Sequence, residues 1–388
     1  MRLLVVTQDF PPAIGGIQTY TWELVRRWAD RDDHLVVVAP AQDGQVEVDT
    51  SLPALVRRIQ TRPDLLPLTG ASTIRSLARR MQADVAFHAQ WQTVAASLFS
   101  RWTTGFPRRI VCAAHGRELL FNPASDVPVV GPAYEALRRL LLRGVDAFTP
   151  VSRYTAGLLQ DLGVPASRIA VVPNGTDPNR FQPVDASDLR RNLNLEDRPV
   201  LLTVGRLVTR KGVDTTLRAL PSVLETAPDA VYLIVGTGPD LERLERLAVD
   251  LGVRDHVRFA GQVPFPDLPA YYSLADAFVM PSREARPDVE GFGLVFLEAG
   301  ACGTPVVGAR SGGIPDAVRD GETGLLVPPS NPEMLADALM RLLTTPDLAA
   351  RLGREGRRYA VQEASWDHVA GRLWEVLQQT AASAAVAT

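Results

Sequence analysis

Short apolar runs rich in β-branched residues alternate with longer amphipathic segments along the whole chain. In the first half, these runs predict strands at 3–7, 34–39, 84–89, 109–114, 146–151 and 169–172. The segments between them predict helices at 17–29, 72–81, 133–142 and 154–162. Alternation of this kind is typical of a parallel sheet that carries helices on both faces.

The alternation begins again after a polar, proline-containing stretch at 176–198, which predicts a linker. The second series predicts strands at 199–204, 231–235, 257–260, 277–281 and 306–308. Its predicted helices are 213–226, 241–251, 292–300 and 333–343. Two such series predict an α/β protein with two doubly wound domains. We expect the domains to face each other across a cleft, with the active site beyond the carboxyl ends of their strands.

The linker sets the predicted domain boundaries. We place the first domain at 1–178 and the second at 179–364. The terminal segment 365–388 predicts an amphipathic helix that could pack on either domain, and we favour the first.

The composition agrees with a soluble globular protein of two domains. The chain has 388 residues, of which 46% are hydrophobic and 22% charged. Cys112 and Cys302 have no metal-ligand spacing, which favours buried free thiols in a reducing compartment. The chain shows no apolar leader and no apolar run of membrane-spanning length, so we expect a cytoplasmic protein. The pattern Asp30-Arg31-Asp32 follows a predicted helix, and we predict no metal site there.

Lysine occurs once among the 41 Lys and Arg residues, at Lys211. It follows Arg206 by five residues, in the glycine-containing turn between a predicted strand and a predicted helix. Such a turn suits phosphate oxygens, because arginine offers a planar fork and lysine a compact charge. A basic residue at a strand end can also be an ordinary surface residue, so the pair alone is a moderate signal.

A second candidate phosphate site is the glycine pair Gly15-Gly16, which directly precedes the first predicted helix. The free amides at a helix N-terminus can approach a diphosphate when no side chain obstructs them. The pair lacks the spacing of a dinucleotide fingerprint. Glycines at such a turn are as often required only by the backbone.

The strongest signal is a pair of glutamates, Glu290 and Glu298, around the start of the predicted helix 292–300. Glu290 lies in the preceding loop, and Glu298 lies two turns inside the predicted helix among apolar neighbours. We predict that the amides of Gly293, Leu294 and Val295 form an N-terminus that binds phosphate. Glu298 can then accept hydrogen bonds from vicinal hydroxyls of a ribose.

Taken together, these motifs resemble those of the retaining glycosyltransferases of group 1, family 4, across essentially the whole chain. Within the family, the resemblance is nearest to the phosphatidylinositol mannoside mannosyltransferases of actinobacteria. It rests on Asp-Phe-Pro-Pro at 9–12, Gly-Gly-Ile-Gln at 15–18 and Val-Ser-Arg-Tyr at 151–154. It also rests on the residues around Arg206 and Lys211 and on Asp-Val-Glu-Gly at 288–291. The resemblance implies the GT-B architecture of two Rossmann-like domains.

The resemblance also implies roles for individual residues. Arg206 and Lys211 would hold the diphosphate of a nucleotide sugar, Glu298 the ribose, and Glu290 a hydroxyl of the donor sugar. The backbone near Val263 would contact the base. The second domain would therefore bind the nucleotide sugar, and the first the acceptor.

His115 follows the predicted strand 109–114, where relatives keep a histidine close to the transferred sugar. The predicted catalytic residues are accordingly His115, Glu290, Arg206 and Lys211. No covalent nucleophile stands out, which favours departure and attack on the same face of the sugar. No cofactor beyond the nucleotide sugar is expected, because the basic residues and the helix N-terminus can neutralise the leaving group.

We therefore expect a retaining hexosyltransferase that moves mannose from GDP-mannose to a hydroxyl of a sugar, polyol or lipid-linked acceptor. A UDP-glucose or UDP-N-acetylglucosamine transferase of the same fold stays open, since the base contact cannot be derived from sequence. A nucleotide-sugar epimerase or a phosphorylase is disfavoured, because a phosphorylase needs a further lysine for pyridoxal phosphate. A dehydrogenase is disfavoured by the incomplete glycine fingerprint at 236–238, and a binding module by the full set of charged residues.

The charge distribution is relevant to the kind of acceptor that the protein binds. The net charge is −3, yet the first half of the chain is mildly basic. Arginine pairs at 57–58, 79–80, 108–109 and 138–139 could support a lipid-bearing acceptor, although most are expected to be ordinary solvated residues. We predict a protein that can lie on the inner face of the membrane, and no nucleic-acid partner.

Overall fold

Two parallel β-sheets of six strands each are present in residues 1–31, 34–123 and 125–385, the part of the chain that the computed structural model describes. Asp32, which completes Asp30-Arg31-Asp32, and residues 386–388 of the predicted terminal segment lie outside this part. The strands are β1 (Leu3–Val6), β2 (Leu35–Pro40), β3 (Leu55–Ile59), β4 (Val85–His88), β5 (Arg109–Ala114), β6 (Ala147–Pro150), β7 (Val200–Val204), β8 (Val231–Val235), β9 (Val257–Gly261), β10 (Ala277–Met280), β11 (Val306–Ala309) and β12 (Gly324–Val327).

The α-helices alternate with the strands and are numbered in the same way. They are α1 (Gly16–Ala29), α2 (Gln45–Thr50), α3 (Leu66–Thr69), α4 (Ala71–Arg80), α5 (Val94–Thr104), α6 (Arg117–Leu120), α7 (Val130–Arg143), α8 (Arg153–Asp161), α9 (Ser187–Asn192), α10 (Val213–Thr226), α11 (Leu241–Asp250), α12 (Leu268–Leu274), α13 (Leu294–Ala301), α14 (Ile314–Ala317), α15 (Pro332–Thr344), α16 (Pro346–Gln362) and α17 (Trp366–Ala385).

The chain divides into two units, each built on one sheet. The first contains Met1–Pro173 and the C-terminal residues from Trp366 onward, and the second contains Asn174–Ser365. The sheets have the orders β3-β2-β1-β4-β5-β6 and β12-β11-β10-β7-β8-β9. Counted from each unit's first strand, the two orders are the same. The predicted α/β fold with two doubly wound domains is confirmed.

Each sheet reverses its winding beside its first strand. β1 pairs in parallel with both β2 and β4, and β7 pairs in parallel with both β8 and β10. In open α/β sheets of this kind, ligands bind outside the carboxyl ends of the strands at this reversal. The loops that follow β1 and β7 are therefore the first places to look for a site.

The central strands are largely apolar because helices cover both faces of each sheet. All four residues of β1 and all five residues of β7 are buried. In the first unit, α17 packs against α1, and the Trp28 indole donates a hydrogen bond to the Ala370 carbonyl at 3.1 Å. Leu373 and Leu377 of α17 are fully buried. Burying a leucine contributes roughly 1.5–3 kcal/mol, so these contacts hold the terminal helix on the first unit.

The sequence pattern missed two edge strands and placed one strand wrongly. In β3, the central residues include Arg57 and Arg58, which interrupt the apolar pattern. β12 has only four residues and begins with a glycine. The predicted strand at 169–172 is wrong, because its residues form a single isolated bridge, between Phe148 and Ile169. Eight of the described helices were not predicted, namely α2, α3, α5, α6, α9, α12, α14 and α16. No described helix combines the length and apolarity needed to cross a membrane.

Candidate functional site

Lys211 lies at the end of a short 3-10 helix, Thr209–Lys211, that follows β7. The residue is only 8% exposed, and its Nζ lies 2.7 Å from Oε2 of Glu290. Gly212 then turns the chain into α10 with a φ of +73°. A Cβ on Gly212 would lie 2.2 Å from the Pro281 carbonyl oxygen, so this close approach requires a glycine. The turn thus directs the only lysine of the chain inward.

The Glu290 carboxylate also accepts a hydrogen bond from Nη1 of Arg210, at 2.5 Å from Oε2. Burial would raise the pKa of Glu290, but the positive charges of Lys211 and Arg210 outweigh it and hold that pKa at about 2. Glu290 is therefore an anion at neutral pH. The sequence interpretation missed Arg210, although its position beside Lys211 was an available signal.

Glu298 lies in α13, one turn after the helix begins at Leu294. It is closer to the N-terminus than the predicted two turns, because the helix begins two residues later than expected. The Tyr272 hydroxyl donates a hydrogen bond to its Oε2 at 2.7 Å. Burial raises the pKa of Glu298 to about 7, while Tyr272 and the charge of Lys211 act in the opposite direction. Glu298 is therefore close to half ionised at neutral pH.

The N-terminus of α13 lies between the two glutamates, two residues after the predicted start. Gly293 precedes the helix with a φ of +94°, and Leu294 and Val295 open it. A Cβ on Gly293 would lie 2.7 Å from the Phe296 ring. The first turn carries no acidic side chain, so its backbone amides keep their positive potential.

Two other predicted residues, Arg206 and Val263, make no described hydrogen bond or ion pair with these ionised groups. Arg206 is exposed, two residues after β7, and its side chain makes no hydrogen bond or ion pair with the residues that the structure describes. Val263 is half-buried and lies two residues beyond the end of β9. Both follow the carboxyl ends of strands in the second sheet.

In the first unit, His115 follows β5 directly. Its Nε2 lies 3.0 Å from the Ala89 carbonyl oxygen, which can only accept, so Nε2 carries the proton. The Tyr20 ring meets the imidazole edge-on, with 4.8 Å between centroids. Burial lowers the pKa of His115, although the charge of Glu118 opposes the change. The imidazole is therefore neutral at pH 7.

Asp9, which lies beyond the end of β1, is a residue that the sequence interpretation did not single out. Its two carboxylate oxygens accept hydrogen bonds from the amides of Gln18 and Gln90, each at 2.7 Å. Burial raises the pKa of Asp9, and its charge influences His115. Its place in Asp-Phe-Pro-Pro, after a buried strand, was the available signal.

Gly15 and Gly16 lie at the start of α1, as predicted. Gly15 precedes the helix in an extended conformation, and Gly16 is its first residue. The first turn contains no acidic side chain and no side-chain cap. In the sequence the pair comes between Asp9 and Tyr20, so one short segment supplies both a helix N-terminus and a partner of His115.

Three of the predicted arginine pairs have a member with an internal partner. Arg109 pairs with Asp146 at 3.3 Å. Arg58 donates to Asp49 and to the carbonyls of Pro11 and Pro40. The buried Arg138 donates to the Leu119 carbonyl at 2.6 Å and pairs with Glu135. Most of the paired arginines were expected to be solvated, and Arg58, Arg109 and Arg138 are the exceptions. Among the residues that the structure describes, no group of three or more His, Cys, Asp or Glu residues could hold a metal ion.

Comparison with known families divides the chain in the same region as its structure does. Residues 14–180 match Glycosyltransferase Family 4, and residues 185–359 match Glycosyl transferases group 1.

Individual relatives match nearly the whole chain. A GDP-mannose-dependent alpha-(1-6)-phosphatidylinositol monomannoside mannosyltransferase of Mycobacterium tuberculosis is 39% identical over 97% of this chain and 98% of its own length. The protein of the same name from Mycolicibacterium smegmatis is 40% identical, with the same coverage. A D-inositol 3-phosphate glycosyltransferase of Acidothermus cellulolyticus is 34% identical over 91% of this chain and 83% of its own length.

Solved structures agree with the fold. Sucrose-phosphate synthase from Thermosynechococcus elongatus has a TM-score of 0.81 at 26% identity, covering 98% of this chain and 99% of that one. Anabaena HepE in complex with UDP has the same TM-score at 20% identity, covering 98% of this chain and 100% of that one.

Proposed function

Because the chain belongs to the glycosyl transferases group 1 and is a hexosyltransferase, we propose that it transfers mannose from GDP-mannose to an acceptor hydroxyl. The observation that carries this donor is the 39–40% identity, over nearly the whole chain, to relatives named as GDP-mannose-dependent mannosyltransferases. The site in the second unit supports it, since its cations and helix N-terminus suit a diphosphate.

The diphosphate binds at the start of α13. The amides of Gly293, Leu294 and Val295 donate to its oxygens, and Lys211 and Arg206 supply positive charge. These groups stabilise the charge that develops as the nucleotide leaves. Lys211 is already turned inward, whereas the exposed Arg206 closes on the phosphate when the donor binds.

The two glutamates bind the sugars of the donor. Glu298 loses its proton when the donor binds. Its carboxylate then accepts hydrogen bonds from both ribose hydroxyls. Glu290 accepts one from a hydroxyl of the mannose. Burial of both carboxyl groups supports these roles. A buried acceptor favours a ligand whose hydroxyl donates to it over one that leaves it without a hydrogen bond. The backbone near Val263 contacts the base.

The first unit contacts the transferred sugar and binds the acceptor. Neutral His115 contacts the mannose, and the amides at Gly15 and Gly16 approach the diphosphate. The bond from the anomeric carbon to the phosphate oxygen breaks as the acceptor oxygen attacks from the same face. The acceptor proton passes to the departing phosphate oxygen, so the anomeric configuration is retained.

The acceptor carries an inositol phosphate group. Relatives named for phosphatidylinositol monomannoside and for D-inositol 3-phosphate share this group, and both kinds cover most of the chain. The greater identity to the former favours an acceptor linked to lipid, which brings the enzyme to a membrane surface.

Calorimetry with GDP, UDP and ADP tests the donor, followed by transfer assays with GDP-mannose and UDP-glucose. We expect GDP to bind at least about tenfold more tightly than UDP, a difference of about 1.4 kcal/mol. Mannose transfer to phosphatidylinositol monomannoside in vesicles, with an α product by NMR, supports the whole proposal. A preference for UDP, with glucose transfer only, supports the UDP-sugar alternative instead.

A further inference from the structure

An arginine-lined cavity of about 450 Å³ lies at the opposite edge of the first sheet from His115. Its lining includes Arg101, Arg109, Arg143, Arg168 and Asp146. Arg109 is the first residue of β5, and Asp146 directly precedes β6. We call these five residues and the space between them the arginine pocket.

The positive charge of the arginine pocket is only partly balanced within it. Asp146 is its single carboxylate, and it pairs with Arg101 at 2.7 Å and with Arg109 at 3.3 Å. The two remaining guanidinium groups have no carboxylate partner among the lining residues. The cavity is therefore a concentration of cations on a chain whose net charge is −3.

Many of the N–H groups in the arginine pocket are unused. Each guanidinium carries five donors. Nε of Arg109 is buried and has no hydrogen-bond partner. The side chain of Arg143 makes no polar contact with any residue that has described coordinates, and Arg168 uses Nη1 alone, toward backbone carbonyls. Arg143 and Arg168 are exposed, so their unused donors are open to a ligand that comes from solution. The buried Nε of Arg109 lacks the partner that a buried donor normally has, and it points to a missing acceptor.

A structural role accounts for part of this cluster. Arg101 donates to the Gly144 carbonyl at 2.6 Å, and Arg168 donates to the Arg143 carbonyl at 2.9 Å, so both cap the end of α7. Capping does not explain the side chain of Arg143 or the buried Nε of Arg109.

We propose that the arginine pocket binds a phosphate-bearing anion. Planar guanidinium groups match phosphate oxygens in geometry as well as charge. The site is separate from the one at His115, because the six residues of β5 span about 20 Å between the two edges. It therefore recognises a second anion and not the donor.

The anion could be free in solution or be the headgroup of a lipid. Trp102, the neighbour of Arg101 on α5, is 84% exposed, and its ring lies 6.4 Å from that of Phe99, which is 49% exposed. Exposed aromatic rings beside cations suit the boundary of a lipid bilayer. Both sources share the phosphate group, and the experiment separates them.

The probe is inorganic pyrophosphate, titrated into the full chain by calorimetry with excess GDP present to occupy the proposed donor site. The test variant is Arg143→Gln with Arg168→Gln. Its matched control is Arg79→Gln with Arg139→Gln, which removes the same charge from exposed arginines of α4 and α7. Arg143→Gln alone serves if the double variant does not fold, since only the backbone carbonyl of Arg143 takes part in the described hydrogen bonds of the pocket.

We expect pyrophosphate to bind the wild type and the control variant alike, and the pocket variant at least tenfold more weakly. Flotation with phosphatidylcholine vesicles, with and without phosphatidylinositol, then identifies the source. A loss of flotation in the pocket variant alone assigns the site to a headgroup, and unchanged flotation assigns it to a soluble anion. Absence of binding by the wild type, or equal losses in both variants, overturns the proposal.

Discussion

The Lys211 ammonium lies 2.7 Å from the Glu290 carboxylate, although the proposed donor brings the two side chains to different groups. Lys211 would contact phosphate, and Glu290 would contact a hydroxyl of mannose. With its side chain only 13% exposed, Glu290 keeps Arg210 as a second cation when Lys211 turns to the phosphate. An internal ion pair thus holds both side chains in place, and the proposed donor would partly replace it.

Replacing Lys211 by alanine should weaken GDP binding by roughly 1.5–3 kcal/mol, the range for a hydrogen bond to a charged group. The affinity falls because the phosphate loses the buried ammonium of Lys211. The fall is limited because Arg206 and the α13 amides remain. Calorimetry measures it. Arg218→Ala is the matched control, since Arg218 is exposed on α10 and close in sequence, and it should leave the affinity within about twofold.

Lys211→Arg separates charge from shape in the same experiment. The lysine side chain passes beside Gly205, where Cε lies 3.7 Å from the position of a built Cβ. A guanidinium is wider and cannot keep both this path and its contact with Glu290. We expect a loss nearer to that of alanine than to the wild type. Full retention by arginine, or an equal loss in the Arg218 control, would contradict the assigned role.

Glu290→Ala should reduce turnover much more than it reduces GDP affinity. Its carboxylate is proposed to contact the sugar, which GDP lacks, so the contact contributes mainly in the transition state. We expect kcat to fall at least about a hundredfold, or ~2.7 kcal/mol, with the Kd for GDP changed only a few-fold. Because removal of Glu290 also frees Lys211 for phosphate, GDP affinity could even increase. Equal losses in turnover and in GDP affinity would place Glu290 on the nucleotide.

The affinity for GDP should depend on pH through Glu298. The pKa of Glu298 is raised to about 7, so the folded protein holds a proton there that the unfolded chain releases at lower pH. Only the carboxylate accepts from both ribose hydroxyls, and binding must therefore expel this proton at acidic pH. We expect affinity to be full above pH 8 and to fall about tenfold per unit below pH 7. The same raised pKa lowers folding stability as pH rises from about 4.5 to 7.

Tyr272→Phe should move this titration to higher pH. The Tyr272 hydroxyl stabilises the carboxylate form of Glu298, so its removal favours the proton further. Protonation of GDP itself affects wild type and variant equally. The difference between their profiles of affinity against pH therefore measures the change in the pKa of Glu298. Tyr232→Phe is the control, because Tyr232 is equally buried but its hydroxyl contacts Thr203. Superimposable profiles for wild type and Tyr272→Phe would remove Glu298 from the nucleotide site.

The sequence predicted the elements that carry the site better than it predicted the contacts within it. A glycine before an apolar run predicted the start of α13 to within two residues, because helix N-termini depend on local chemistry. The buried strands β1 and β7 were predicted because continuous apolar runs suit a sheet covered on both faces. β3 escaped notice because an edge strand can carry charged residues, and Arg57 and Arg58 interrupt its apolar pattern.

Side-chain partners depend on distances in space that no local pattern encodes. Arg210 reaches Glu290 across 80 residues, and Tyr272 reaches Glu298 from α12, a helix that the pattern did not predict. The raised pKa of Glu298 follows from burial. Its apolar sequence neighbours indicated that it is buried, but not how far its pKa is raised. The contacts of Asp9 also cannot be predicted without the fold, because Gln90, which donates to its carboxylate, lies in the loop after β4.

The turn that presents Lys211 should depend on the glycine at position 212. Gly212→Ala places a Cβ at a φ of +73° and 2.2 Å from the Pro281 carbonyl oxygen. Gly252 has a φ of +70° but no atom within 4 Å of a built Cβ, which makes Gly252→Ala a control for the dihedral angle alone. We expect the control to cost about 1–2 kcal/mol, the strain of a left-handed residue, with unchanged GDP affinity. Gly212→Ala should cost clearly more in chemical denaturation and should also weaken GDP binding, since relief of the clash displaces Lys211. Equal costs in the two variants, with GDP binding intact in both, would mean that the turn can adjust without moving the lysine.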